Sequence, residues 1–102
     1  MRPTDPTVRA LVQAINDGNR QAFTDLLAEG ATMSDDGSDR DLGSWIDREI
    51  FTADGRMEVV SETDGGRALI ADFTNSTWGR MRTAWRFEIS DGKVSRFETG
   101  QA

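Results

Sequence analysis

Apolar residues recur every third or fourth position through the first half of the chain and every second position through the last. Val8, Leu11, Val12 and Ile15 share one helical face, with Asp5 placed to cap and Pro6 at the first helical position. Gly18 closes that helix. Asn19 caps a second, whose apolar face is Phe23, Leu26 and Leu27 and which Gly30 ends. Residues 31–34 read as a short strand running into the turn Asp35-Asp36-Gly37, and Asp41 caps a third helix bearing Leu42, Trp45, Ile46 and Ile50. Strands then follow over 56–63, 67–75, 80–90 and 93–99, separated by Asp64-Gly65-Gly66, Trp78-Gly79 and Asp91-Gly92. Helices followed by a meander predict an α+β domain, 1–102, with the helices on one face of the sheet.

In the longest strand Met81, Thr83, Trp85, Phe87 and Ile89 form the covered face, alternating with Arg80, Arg82, Ala84, Arg86 and Glu88. A two- or four-residue turn at Trp78-Gly79 turns Asp72 to the covered side, and the same reasoning at Gly65-Gly66 brings Met57, Val59 and Ser61 there. At Asp91-Gly92 a three-residue loop with a bulge sends Ser95, Phe97 and Thr99 inward. Burying Phe97 is worth about 2–3 kcal/mol, whereas an unpaired Glu98 would be costly to bury. Leu69 and Phe73 then fall on the outer face beside Arg82 and Arg86, which predicts a homodimer through that face.

The length, 102 residues, suits one domain, and twelve Lys+Arg against eighteen Asp+Glu give a net charge of −6. That charge argues against nucleic acid as a partner. With no Cys, His or Tyr, the chain lacks thiol nucleophiles, the commonest general base and the commonest metal ligand. No run approaches a membrane span and Met1-Arg2-Pro3 leads into no signal-peptide core, so a cytoplasmic protein with no membrane partner is expected. Its chemistry must run on carboxylates, arginines and hydroxyls.

Four stretches in this order, Val8–Asn19 (VRALVQAINDGN), Phe23–Gly37 (FTDLLAEGATMSDDG), the helix around Trp45, and Trp85–Val94 (WRFEISDGKV), resemble the nuclear transport factor 2-like superfamily, in particular its SnoaL-like and ketosteroid isomerase-like members. The resemblance covers nearly the whole chain. It implies a strongly curved antiparallel or mixed sheet wrapped around N-terminal helices (α-α-β-α-β-β-β-β), cone-shaped, with a central pocket and commonly dimeric. The fold hosts isomerases, polyketide cyclases, epoxide hydrolases, dehydratases and association domains, so it names no function.

By that resemblance Asp35 takes the place of the isomerases' catalytic base, while Leu11 stands where one oxyanion donor, a Tyr, would be, and Thr83 or else Ala84 where the other, an Asp, would be. Asp72 lands near the first acid of the epoxide-hydrolase set, but Ile70 and Thr99 occupy its Arg and second-Asp positions. A polyketide cyclase's usual His has no counterpart. Asp35-Asp36-Gly37 is also ordinary turn language, and Asp72 could instead pair with Arg82 or Arg86. Two readings stay open. One is a non-catalytic module binding a small apolar molecule, walled by Met33, Val59, Thr83, Trp85, Phe97, Thr99 and Leu11. The other is an isomerase, cyclase or dehydratase using Asp35 or Asp72 as general base. Neither implies a metal or organic cofactor.

Overall fold

The computed structural model describes all 102 residues. Helix α1 (Pro6–Asn16) starts where Asp5 accepts hydrogen bonds from the backbone N–H groups of Thr7 and Val8, and Val8, Leu11, Val12 and Ile15 are buried along its inner side. Helix α2 (Arg20–Asp25) is capped by Asn19 but is shorter than predicted. The reason is tertiary: the Leu26 carbonyl accepts from Val94 N–H at 2.8 Å, and the chain joins the sheet at once as β1 (Leu27–Asp35). Gly30, expected to end the helix, instead lies within β1 at φ 75°, in an irregular stretch between Leu27 and Thr32.

Asp36-Gly37, both at positive φ, turn β1 into β2 (Ser38–Arg40), a strand the polar sequence gave no sign of. Asp41 caps α3 (Leu42–Ile46), which widens into a π-helical turn (Asp47–Phe51). Strands β3 (Arg56–Thr63), β4 (Ala68–Asn75), β5 (Gly79–Ser90) and β6 (Lys93–Gln101) follow as a meander. The six strands form one mixed sheet in the order β2-β1-β6-β5-β4-β3, with β1 parallel to β6 and the other pairs antiparallel. This is the α+β architecture the sequence predicted, with one additional hairpin. No helix is long and apolar enough to cross a membrane.

Register decides which side chains meet. Between β4 and β5 the loop has three residues, not two or four, so Asp72 stands opposite Arg82 and Phe73 opposite Met81. Every residue of β4 is therefore on the face opposite to the one predicted. Leu69, Ala71 and Phe73 are buried in the core, and Asp72 lies on the outer face. Near its turn β3 sets Ser61 opposite Ile70, but a bulge at Val60 changes the face beyond it. Met57 and Val59 are thus inside and Ser61 outside. The β5–β6 turn is a two-residue one at positive φ, and the bulge sits at Ser95; Phe97 and Thr99 still come to the inner face, while Ser95 does not.

The centre of the cone is filled. Phe97 is wholly buried among the rings of Phe23, Trp45, Trp85 and Phe87, with centroids 6.0–6.4 Å away. At such spacing the rings gain edge and stacking contacts beyond their burial.

Candidate functional site

Open space lies between the end of β1, α3, the π-helical turn and the ends of β4, β5 and β6. A cleft of about 350 Å³ there is lined by Trp45, Trp78 and Trp85, with Phe73, Met81 and Thr83. Asp35, Asp36 and Glu49 bring three carboxylates to it against the single guanidinium of Arg40.

Each acid has a structural reason for its position. Trp45 Nε1 donates to Asp35 Oδ2 at 3.0 Å, so the helix-borne indole fixes the carboxylate at the strand end. Asp36 Oδ1 accepts from Gln101 N–H at 3.1 Å. A Cβ on Gly100 would sit 2.7 Å from that oxygen, so a larger residue there would push the Asp36 side chain aside. Glu49 is carried by the π-helical turn, a widened helical geometry that often marks functional positions. Its carboxylate accepts from Trp78 Nε1 at 3.2 Å, and Asn75 Nδ2 donates to its backbone carbonyl at 2.9 Å. Asn75 Oδ1 in turn accepts from Trp78 N–H at 2.8 Å, tying the three-residue loop to the π-helical turn.

Thr83, predicted as a hydrogen-bond donor to a ligand, faces the covered side but is already committed. Its hydroxyl donates to the Ala71 carbonyl at 2.9 Å and accepts from Trp85 Nε1 at 2.8 Å, and all three groups are buried.

Of the predicted residues, Asp35, Thr83, Trp85 and Thr99 come together at the cleft. Leu11, Met33, Val59 and Phe97 do not; they are buried in the solid core and are packing, not wall. Asp72 is elsewhere altogether. On the outer face its Oδ1 accepts from Arg82 Nε at 2.6 Å and its Oδ2 from Arg80 Nη2 at 2.7 Å. These hydrogen bonds, Arg82's first, hold its carboxyl below the usual carboxylate range, the opposite of what a general base at neutral pH needs. Leu69 and Phe73, expected on the dimer face, are core residues as well. Of that set Arg82 and Arg86 alone lie outside, paired with Asp72 and Asp64.

Glu49, Asn75 and Gln101 were not anticipated in the cleft. Trp78 was visible as an anomaly, a large aromatic in a turn, and it is 64% exposed at the rim. No group of three acidic, His or Cys side chains is arranged to hold a metal ion.

The sequence matches no family model and no curated protein. Solved structures are another matter. An NTF2-like protein of unknown function from Cytophaga hutchinsonii superposes with a TM-score of 0.81 at 15% identity, covering 100% of this chain and 92% of that one. A provisionally assigned polyketide cyclase from Sinorhizobium meliloti gives 0.75 at 20% identity over 91% and 92% of the two chains. An uncharacterised cystatin-fold protein from Novosphingobium aromaticivorans gives 0.72 at 15% identity over 97% and 98%. The helices and the curved mixed sheet are those of the NTF2-like, cystatin-type α+β cone, and that is the fold of this chain.

Proposed function

We propose that the chain is a small-molecule-binding module. Its ligand is compact, largely apolar, and neutral or positively charged, and it is held in the mouth cleft without being transformed. The observation that carries this reading is the state of Thr83. With its proton given to Ala71 and a lone pair to Trp85, it has no donor left for a developing oxyanion, and Leu11 supplies none from the core. Losing one such donor typically costs about 10²–10³ in rate. The cleft nonetheless offers aromatic walls, Met81 and an excess of carboxylates, which favour an apolar body and disfavour an anion.

All three tryptophans line the cleft, so their fluorescence reports its occupancy. Cyclohexanol, cyclohexylamine and cyclohexanecarboxylate share one body and differ in charge. The first two should change the emission saturably and the third should not. No saturable change with any of them, or preference for the carboxylate, overturns the reading.

A catalytic alternative is favoured by one feature: Asp35 Oδ2 takes the Trp45 bond, leaving Oδ1 for a ligand. Deuterium exchange beside the carbonyl of cyclohexanone, catalysed by the protein and abolished by Asp35→Asn, would establish it.

A second copy of the chain is the partner we propose for the outer sheet face. A shallow depression of about 440 Å³ there is floored by Ala68, Ile70, Ala84 and Gly100, with Arg86 and Glu98 opposite each other in the ladder. A two-fold pairing would let each arginine meet the other copy's glutamate.

A further inference from the structure

We infer a second binding site, for the oxyanion group (phosphate or carboxylate) of a small molecule, in the groove between α1 and the β3 edge. This groove, of about 400 Å³, is lined by Arg2, Arg9, Arg56 and Arg80 against Glu58 and Asp72. In a chain of net charge −6 it is a local reversal of sign. The ion pairs of the molecule engage other arginines and Arg80; Arg2, Arg9 and Arg56 are in none of them.

Arg9 makes the case. Its Nη2 donates to the Thr4 carbonyl at 3.2 Å, but its Nε is buried and has no partner, the one side-chain nitrogen or oxygen in the chain so placed. Folding normally avoids a desolvated donor without an acceptor, so such an atom asks for an explanation. Arg56 donates to the neighbouring Gly55 carbonyl and meets no carboxylate. Across the strands Arg56, Thr74 and Arg80 form one row on the outer face, two guanidiniums flanking a hydroxyl.

Asp72 offsets Arg80, and its other oxygen is taken by Arg82, which does not line the groove. That leaves Arg2, Arg9 and Arg56 against Glu58, a surplus of guanidinium donors over carboxylate acceptors. A planar guanidinium fork is the group best matched to a carboxylate or phosphate that supplies them.

The test follows the Arg9 Nε–H resonance by NMR while inorganic phosphate or acetate is added at constant ionic strength, with chloride as the control. The resonance should shift saturably with an oxyanion and not with chloride. The stronger of the two probes then tells phosphate from carboxylate. Arg56→Gln, whose side chain bonds only an adjacent carbonyl, should weaken binding at least about tenfold. Arg20→Gln, in an exposed pair with Asp47 outside the groove, should leave it unchanged. An equal shift with chloride, a resonance that no anion moves because water satisfies Nε, or an equal loss in Arg20→Gln each overturns the assignment.

Discussion

Replacing Thr83 by valine keeps the shape of the side chain and deletes one oxygen. That oxygen is the acceptor for Trp85 Nε1 at 2.8 Å and the donor to the Ala71 carbonyl at 2.9 Å. The valine methyl fills the same volume, so no cavity term enters, and the cost is that of orphaning the buried indole N–H. Such a group is worth about 1–3 kcal/mol when left unpaired. The carbonyl keeps a second lone pair and adds less. In a domain of this size each kcal/mol lowers the thermal midpoint by about 4–8 °C. Urea unfolding followed by tryptophan emission measures the loss, and Thr83→Ser, which keeps the hydroxyl, separates it from the effect of the methyl.

The decisive comparison is a double-mutant cycle with Trp85→Phe, which removes the indole N–H itself. Thr83→Val should then cost less by about 1 kcal/mol or more than in the parent, because the orphaned donor no longer exists. Equal costs in the two backgrounds would mean that the hydroxyl is not committed to the indole. The case against an oxyanion donor at this position would fall with it.

Phe97→Ala should cost about 3–5 kcal/mol by chemical denaturation, the range for a fully packed aromatic; a cost under about 1 kcal/mol would mean that Phe97 lines open space after all. Asp72 has a folded-state pKa depressed below its unfolded value by Arg82 and Arg80, so its contribution is complete above the ordinary value of about 3.9 and lost as pH falls through the folded value. The stability gap between the parent and Asp72→Asn should therefore shrink on acidification below pH 4, and a gap that is constant or widens would refute the pairing. Ile70→Asp places a charge on the floor of the outer depression and should leave a folded monomer in sedimentation, whereas the parent should sediment as a dimer; a parent that sediments as a monomer rules out the second copy.

The elements were legible because local rules and tertiary structure agree on them. Asp5, Asn19 and Asp41 all cap as their positions imply, and the four meander strands lie within two residues of their predicted ends. The place of Asp35 at the end of β1 and the inward side of Trp85 were also legible. Face assignment in β4 was not, because it turns on the parity of one loop. Asn75 decides that parity: it is buried and binds both Glu49 and Trp78, partners that nothing near it in sequence identifies. The bulge at Val60 then reversed the parity again, so Met57 and Val59 reached the predicted face even though Asp72 did not.

Hydrophobic period, caps and turn residues are properties of neighbouring positions, and they sufficed to set the class, the order of elements and the covered side of β5. The absence of Cys, His and Tyr narrowed the available chemistry on composition alone. Whether Asp72 met a cavity or two arginines, whether Phe97 walled a pocket or filled it, and whether Thr83 kept a free donor were settled only by three-dimensional packing. Each depends on register and on partners far along the chain. A shift of one residue in a strand moves every side chain to the other face and leaves the local pattern unchanged.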